Sequence, residues 1–260
     1  MFRSVDGTIL RVRHREAEGQ APHLMFLHAL GTGIWAWEEV AARLPSAWGF
    51  TLPELRGHGL SGGAADDMDD FARDALALAP DRAWFAGLSI GGQIAIRAAC
   101  LGPDRVAGLI LADTAARIGS EAYYAARAER VRAEGMDPVA AEQIERWFAP
   151  EFARRAPEIV AGARHALARQ PVDGYLAACR ALGRTDLSGV LAQVTCPALC
   201  IGGAEDVSTT PEAMAALADG LPAGSHAVID GAGHLPPVER PEEMTRRIIE
   251  YVAAHHPPIP

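Results

Sequence analysis

Short apolar runs alternate with amphipathic segments along the first part of the chain, up to about Ala116. The runs HLMFLHAL, RAWFAGL and VAGLILAD have the length and the continuous apolar character of buried strands. WAWEEVAARL and GGQIAIRAACL carry apolar residues at helical spacing. Strands that alternate with helices are typical of a parallel sheet with helices on both faces. The pattern therefore predicts an α/β fold with a mostly parallel, doubly wound sheet.

The pattern changes between about Arg117 and Asp186. Alanine, arginine and glutamate dominate there at helical spacing, as in YYAARAERVRAEGM and AAEQIERWFAP, and strand-like runs stop. Strand patterns return in CPALCIGG and SHAVIDGAG, and PEEMTRRIIEYVAAH predicts a closing amphipathic helix with Pro241 in its first turn. We therefore expect a core formed by residues 1–116 and 187–260, a helical cap inserted at 117–186, and a disordered tail HHPPIP.

Composition and charge narrow the class of protein. The 260-residue chain has 49% hydrophobic and 22% charged residues, and its net charge of −9 argues against a nucleic acid or an anionic membrane as a partner. Its basic side chains are arginine and histidine without any lysine, which excludes Schiff-base chemistry, a phosphate-loop lysine and a Ser–Lys dyad. The four cysteines lack metal-ligand spacing, and no apolar run reaches the about 18 residues of a membrane span. We expect a cytoplasmic protein that needs no metal or organic cofactor, and its oligomeric state stays open.

Three glycines surround a single serine where an apolar run meets a helical one, in Gly87-Leu88-Ser89-Ile90-Gly91-Gly92. A Gly-x-Ser-x-Gly turn between a strand and a helix is the setting of a nucleophilic serine, because the tight turn leaves no room for side chains at the flanking glycines. On its own the motif also fits a glycine-rich helix start with an incidental serine. The strand before it, the helix after it and the partner residues downstream favour Ser89 as a nucleophile.

A serine nucleophile needs a base that takes its proton and a carboxylate that orients the base. In this architecture they follow in the order Ser, Asp or Glu, His. The predicted strand PALCIGG is followed by Glu205 and Asp206 at the carboxyl edge of the sheet, and either could be the acid. His234 lies in a glycine-rich loop between the last predicted strand and the last helix, which makes it the candidate base.

The stretch HALGTG, which begins at His28, is the candidate second half of an oxyanion hole. In such sites one N–H donor follows the nucleophile and the other lies in a loop after an early strand. We therefore expect the backbone N–H groups of Ile90 and Leu30 to hold the oxyanion. His28 and His58 are expected to brace loops near the site. The histidines expected to have a structural or solvated role are His226, His255 and His256.

With these residues assembled, the chain resembles an α/β-hydrolase over essentially its whole length. Within that superfamily it is most similar to the 3-oxoadipate enol-lactonases. Three of its stretches occur in many α/β-hydrolases: HALGT, RGHGLS and GLSIGG. Four others are more specific matches to the enol-lactonases: LADTAARIG, RAEGM, RWFAPEF and GYLAACRALGRTDL. The resemblance implies an α/β-hydrolase fold with Ser89 as nucleophile, Asp206 as orienting acid and His234 as base. It also implies an enzyme of aromatic-compound catabolism, on the β-ketoadipate pathway, that needs no cofactor.

The predicted cap is close to neutral, with eleven arginines against ten acidic residues, above an acidic core. Arginine binds carboxylates through two parallel N–H bonds, so this cap suits a small anionic lactone or ester. The alternative for most of these arginines is pairing along exposed helix faces. Arg127, Arg132 and Trp147 lie in the family-like segments and are the candidate substrate contacts, with Arg132 preferred over Arg127.

The sequence thus predicts a serine hydrolase that opens a small anionic enol-lactone, converting 3-oxoadipate enol-lactone to 3-oxoadipate. The same residues would also serve a general carboxylesterase, another lactonase, a cofactor-free perhydrolase or a C–C bond hydrolase. Some proteins of this fold act instead as ligand receptors. An intact set of serine, acid and histidine disfavours that alternative.

Overall fold

The computed structural model describes residues 1–65 and 67–256, and these residues contain one eight-stranded sheet. Its strands, in chain order, are β1 (Phe2–Val5), β2 (Thr8–Arg15), β3 (His23–Leu27), β4 (Gly49–Pro53), β5 (Ala83–Leu88), β6 (Val106–Ala112), β7 (Ala198–Gly203) and β8 (Gly224–Ile229). In space they lie in the order β1-β2-β4-β3-β5-β6-β7-β8. The first two pairings, β1 with β2 and β2 with β4, are antiparallel, and all the others are parallel.

The register of the parallel strands brings their carboxyl ends to one edge of the sheet. Leu27 of β3 lies beside Gly87 of β5, and Ala112 of β6 lies beside Ile201 of β7. Loops that follow β3, β5, β6, β7 and β8 therefore begin close together. Open α/β sheets hold their sites at this edge.

Helices outside the cap cover the sheet on both sides. They are α1 (Trp35–Arg43), α2 (Met68–Leu78), α3 (Ile90–Leu101), α9 (Pro211–Gly220), α10 (Pro236–Glu239) and α11 (Pro241–His255). Helix α2 packs against α3, and α1 packs against α10 and α11. Every residue of β3, β4, β5 and β7 is buried, as expected for strands covered on both faces. This arrangement confirms the predicted fold class.

Between β6 and β7 the chain forms five α-helices: α4 (Glu121–Glu134), α5 (Met136–Trp147), α6 (Pro150–Arg155), α7 (Pro157–Ala168) and α8 (Val172–Arg184). Helix α4 packs against α8, and α5 packs against α7. Helix α4 begins where the Ser120 hydroxyl accepts the N–H of Tyr123 at 3.2 Å, and it ends at Gly135, whose φ of +81° suits glycine. We call this segment the cap; its boundaries at 117 and 186 stay predictions.

The end of the chain differs from the disordered tail that the sequence predicted. His255 is the last residue of α11, where its Nδ1 lies 2.9 Å from the carbonyl oxygen of Tyr251 and its ring packs on the tyrosine ring. The Nε2 of His256 lies 3.1 Å from the carbonyl oxygen of Gln20. Both histidines therefore have partners. The rest of the predicted tail, 257–260, lies outside the described residues.

Candidate active site

Ser89 stands in the turn between β5 and α3, in a backbone conformation that serine rarely adopts. Its φ is +57° and its ψ is −117°. A Cβ on Gly87 would overlap the carbonyl oxygen of Gly91, and a Cβ on Gly91 would overlap that of Leu27. Both glycines are thus required by close backbone approach. This answers why glycines flank the serine in the sequence.

Strand β6 fixes the turn from its other side. The N–H of Ser89 donates to the carbonyl oxygen of Ala112 at 2.9 Å. The Thr114 hydroxyl donates to the carbonyl oxygen of Ser89 at 2.7 Å. The strained serine is therefore held at both of its peptide groups, which keeps the side chain at the carboxyl edge of the sheet.

Asp206 and His234 form a buried hydrogen-bonded pair in the loops after β7 and β8. The Nδ1 of His234 lies 2.8 Å from Oδ2 of Asp206, and the side chains are 6% and 0% exposed, respectively. The backbone N–H of Ser208 and the hydroxyl of Thr209 also donate to Asp206, at 2.7 and 2.6 Å. Burial alone would raise the pKa of Asp206, but His234 and these hydrogen bonds hold it below its usual range. An Asp206 carboxylate that accepts from Nδ1 leaves Nε2 as the proton acceptor of His234.

The loop that carries His234 is held by the cap and by a buried carboxylate. The N–H of His234 donates to the carbonyl oxygen of Trp147 at 2.9 Å. Oε1 of Glu239 accepts the N–H groups of Gly233 and Leu235, at 2.9 and 3.2 Å, and its Oε2 accepts the N–H of Ala149 at 2.8 Å. Burial raises the pKa of Glu239 to about 7, although the three N–H groups and His234 oppose the shift. Glu239 therefore links the residues on either side of His234, Gly233 and Leu235, by hydrogen bonds to the segment between α5 and α6.

The loop after β3, which holds Leu30, is braced by His28. The N–H of Leu55 donates to Nε2 of His28 at 2.9 Å, so the ring proton is on Nδ1, which donates to the carbonyl oxygen of Ala29 at 2.8 Å. Burial, with His58 nearby, lowers the pKa of His28 to about 3. His28 and His58 rings meet edge to face with centroids 5.3 Å apart. Both histidines are fully buried, and their expected role of bracing loops stays a prediction for His58.

Gln170, between α7 and α8, joins the same loop to the cap. Its side-chain N–H₂ donates to the carbonyl oxygens of Gly31 and Thr32, at 3.1 and 3.0 Å. Its side-chain oxygen accepts the N–H of Gly59 at 3.0 Å. The backbone around Leu30 is therefore held by the core from below and by the cap from above. Ile90 opens α3, so its N–H has no acceptor within the helix.

A cavity of about 220 Å³ lies between the carboxyl edge of the sheet and the cap, and Ser89, His234 and Leu30 all line it. Arg127 and Trp147 of the cap line it too. The structure thus brings five of the predicted residues to one space. The cavity residues that the sequence analysis missed include Tyr123, Tyr124, Gln143, Arg146 and Tyr175.

Arg132, the preferred arginine in the sequence analysis, lies elsewhere. It is exposed and lines a separate groove between α4 and α8, beside Arg180 and Arg184. The structure therefore brings Arg127, and not Arg132, to the cavity. Glu205, the alternative acid, is exposed, and His226 is an exposed residue of the edge strand β8.

A helical pattern could have indicated one of the missed residues. Gln143 and Trp147 are four residues apart on α5, so they share a face of that helix, and Trp147 was already a candidate contact. Asp113 and Glu239, which lie beneath the cavity, had only weak sequence signals. Asp113 directly follows a predicted strand at the carboxyl edge, and Glu239 lies in the charged stretch VERPEE, which carries no sign of burial.

Comparisons with known proteins identify chains that this protein resembles. A family model described as the alpha/beta hydrolase family matches residues 24–247. The chain is 33% identical over 238 residues to 3-oxoadipate enol-lactonase 2 of Acinetobacter baylyi, covering 88% of this chain and 89% of that protein. The enol-lactonase from Burkholderia xenovorans LB400 has a TM-score of 0.92 at 30% identity, covering 97% of this chain and 100% of that one. A thermophilic esterase from Thermogutta terrifontis, determined with malate bound, has a TM-score of 0.88 at 31% identity, covering 98% and 97%.

Among the described residues, no helix is both long and apolar enough to cross a membrane. The family match covers most of the chain, and its relatives at 30% identity or more include enol-lactonases and an esterase. The chain belongs to the alpha/beta hydrolase family.

Proposed function

We propose that the chain is a serine hydrolase that opens a small anionic enol-lactone, with 3-oxoadipate enol-lactone as the favoured substrate and 3-oxoadipate as the product. The observation that carries the substrate class is Arg127, a cap arginine that lines the same cavity as Ser89 and His234. The similarity to 3-oxoadipate enol-lactonase 2 supports the same substrate.

Arg127 is held by neutral groups. Its Nη2 donates to the Tyr123 hydroxyl and, at 2.8 Å, to the side-chain oxygen of Gln143. Its guanidinium lies over the rings of Tyr123 and Tyr124, with centroid distances of 4.7 and 5.5 Å. Within the described part of the chain, no carboxylate lies within salt-bridge distance of it. A half-buried positive charge without a protein counter-ion favours an anionic ligand in the cavity.

Arg130, on the same helix, differs in this respect. It pairs with Glu142 and Glu134 on the exposed face of the helix. Charge pairs of this kind are common on helix surfaces and do not need a ligand. The contrast within a single helix makes Arg127 the proposed contact to the substrate carboxylate, with Trp147 forming part of the apolar wall.

In the proposed reaction, Ser89 attacks the lactone carbonyl while Nε2 of His234 takes its proton. Asp206 stabilises the imidazolium that forms, and the N–H groups of Leu30 and Ile90 hold the oxyanion. The tetrahedral intermediate collapses and breaks the ring C–O bond, and the His234 imidazolium returns its proton to the departing oxygen. The enol that forms tautomerises to a ketone. His234, neutral again, takes a proton from a water molecule that attacks the acyl-enzyme, and the second tetrahedral intermediate breaks its bond to Ser89, whose oxygen takes the proton back from His234.

A general esterase of small acids is the second candidate. The similarity to the Thermogutta terrifontis esterase, at 31% identity, supports it. The same mechanism would apply, with an alcohol in place of the tethered enol as leaving group. The two candidates differ in substrate and not in the residues proposed to do the chemistry.

The test compares the enol-lactone with the neutral ester p-nitrophenyl acetate. Arg127→Met keeps an apolar side chain over the tyrosine rings but removes the charge. We expect it to lower kcat/KM for the anionic lactone roughly ten- to a hundredfold, the value of a charge-assisted hydrogen bond, and to change p-nitrophenyl acetate turnover little. Arg132→Met, on the same helix but outside the cavity, is the matched control and should resemble the wild type on both substrates.

Equal loss on both substrates in Arg127→Met would show that the arginine supports packing and not charge recognition. Ser89→Ala should abolish turnover of either substrate while the protein stays folded. A wild-type protein that hydrolyses small esters but not the enol-lactone would favour the esterase.

A further inference from the structure

Asp113 is a buried carboxyl group at the base of the candidate site for which the mechanism above has no use. It directly follows β6, is fully buried and has a φ of +39°. Aspartate is one of the few residues other than glycine that adopt this left-handed region. Its Oδ1 accepts the N–H of Gly203 at 2.8 Å. Its Oδ2 is buried and has no hydrogen-bond donor in reach among the described residues.

The neighbours of Asp113 are the two groups of the buried pair. The three residues Asp113, Asp206 and His234 each contribute one side-chain atom to a cluster. These three atoms all lie within 4.8 Å of one another. Two carboxyl groups so close together in a buried site cannot both be ionised without a large electrostatic cost. Burial, together with the charge of Asp206, raises the pKa of Asp113 well above its usual range, whereas the pKa of Asp206 is lowered. The shared proton therefore belongs on Asp113.

The hydrogen-bonding capacity of Asp206 leads to the same result. A carboxylate has about four lone-pair sites. Three donors already use Asp206: the N–H of Ser208, the hydroxyl of Thr209 and Nδ1 of His234. One site on Asp206 is left, and one oxygen of Asp113 is without a donor. A single proton on that oxygen satisfies both groups.

A bound cation would satisfy the same oxygen less well. Four atoms of this cluster already take part in hydrogen bonds with backbone or side-chain groups. They are both oxygens of Asp206, Oδ1 of Asp113 and Nδ1 of His234. A cation would have to displace those donors to gain ligands, whereas a proton displaces none. The donor set of this cluster fits a shared proton better than a metal ion.

We propose that Asp113 is a protonated carboxylic acid that donates a hydrogen bond to Asp206 and so positions the carboxylate that orients His234. This role rests on the proposed function, since it acts through the Asp206–His234 pair. The hydrogen bond adds a fourth restraint on Asp206, beside those from Ser208, Thr209 and His234. Because Asp113 is neutral, no second negative charge lies beside His234. A second charge there would stabilise the imidazolium and weaken the base near neutral pH.

Two variants of Asp113 distinguish a neutral carboxylic acid that donates a hydrogen bond from an ionised carboxylate. Asp113→Asn keeps an acceptor for Gly203 and supplies an N–H donor toward Asp206, and asparagine tolerates a positive φ. Asp113→Gly removes the side chain without straining the backbone. We expect Asp113→Gly to lower kcat for p-nitrophenyl acetate roughly tenfold or more, since Asp206 loses a hydrogen bond to a charged group. Asp113→Asn should recover most of that loss and keep the wild-type acidic limb of the kcat–pH profile.

If Asp113→Asn loses as much activity as Asp113→Gly and shifts the acidic limb to lower pH, then Asp113 is ionised in the wild type and the proposal is wrong. The titratable groups that surround Asp113 are Asp206, His234 and Glu239. The pH profile of Glu239→Gln therefore serves as the reference for shifts that originate at Glu239.

Infrared spectroscopy tests the protonation state without any substrate. At pH 8, above the value of about 7 to which burial raises the pKa of Glu239, the difference spectrum between wild type and Asp113→Asn should contain the carbonyl band of a protonated carboxylic acid. Absence of that band would overturn the proposal. A wild-type protein without esterase or lactonase activity would overturn the proposed function instead, while the band would still report on Asp113.

Discussion

Asp206 and Glu205 are adjacent in sequence, yet their surroundings differ in every respect that decides whether a carboxylate can orient a histidine. Glu205 is exposed, whereas Asp206 is buried and 2.8 Å from Nδ1 of His234. Both follow β7, whose last residue is Gly203, and the turn after the strand decides which carboxylate points inward. The sequence left both acids as candidates because side-chain direction in a turn depends on backbone angles that neighbouring residues alone do not reveal.

Exchange of each acid for its amide measures this difference. Asp206→Asn should lower kcat for p-nitrophenyl acetate by about a thousandfold or more, because an amide that donates to Nδ1 favours the wrong tautomer of His234. Glu205→Gln, the adjacent control, should stay within about twofold of the wild type. Circular dichroism and steady-state kinetics of the two variants provide the measurement. The opposite ranking would assign the orienting role to Glu205.

At the scale of elements, the strand–turn–helix unit around Ser89 was predictable because its determinants are local. An apolar run, three glycines and a helical run lie within about twenty residues of one another. The hairpin of β1 and β2 had an equally local signal that the sequence analysis did not use. Asp6 and Gly7, between these strands, have φ values of +45° and +78°, and Asp-Gly is a preferred pair for a two-residue hairpin turn.

The close approach at Gly91 predicts a strong effect of a single methyl group. Gly91→Ala places a Cβ against the carbonyl oxygen of Leu27, a backbone atom that cannot move without shifting β3. We expect a loss of about 2 kcal/mol or more in the free energy of unfolding and a marked loss of activity. Gly162→Ala is the matched control, since Gly162 lies within α7 with nothing near its Cβ position. That variant should be neutral or more stable by about 0.5–1 kcal/mol, as alanine favours helix.

Urea unfolding of both glycine variants provides the comparison. Equal stability of the two would mean that the turn after β5 tolerates a side chain at position 91. In that case the glycine would not be explained by backbone approach.

At the scale of the whole molecule, the site depends on contacts between segments that are far apart in sequence. Glu239 joins Gly233 and Leu235 to Ala149, ninety residues away, and no local pattern marks such a pairing. Arg127 and Arg132 illustrate the same limit. They are five residues apart on α4, which turns them about 140° from each other around the helix axis. Which face meets the cavity is decided by how α4 packs on α8, so the sequence ranked the two arginines in the wrong order for cavity contact.

Glu239 gives the molecule a specific pH dependence of stability. Burial raises its pKa to about 7 from an ordinary 4.5, so the folded protein holds this proton more tightly than the unfolded chain does. Its contribution to the free energy of unfolding is therefore complete below pH 4.5 and is lost as the pH rises through 7. Glutamine does not titrate. The free energy of unfolding of the wild type, relative to that of Glu239→Gln, should fall between pH 5 and pH 8 by up to about 3 kcal/mol.

Urea titrations of the wild type and Glu239→Gln at pH 5, 6, 7 and 8 measure the difference. Glu205→Gln, at an exposed position, should show no comparable pH dependence relative to the wild type. A relative stability that does not change between pH 5 and pH 8 would mean that Glu239 is already ionised at pH 5.

The hydrogen bonds of Gln170 limit how the cap can be exchanged between related proteins. One cap side chain holds the carbonyl oxygens of Gly31 and Thr32 and the N–H of Gly59, all of them core residues. A chimera that exchanges only the cap with that of a relative would thus also exchange part of the scaffold of the loop around Leu30. The cap and the core are thus not independent modules, and a transplanted cap would need an amide at position 170 to keep these hydrogen bonds to the loop around Leu30.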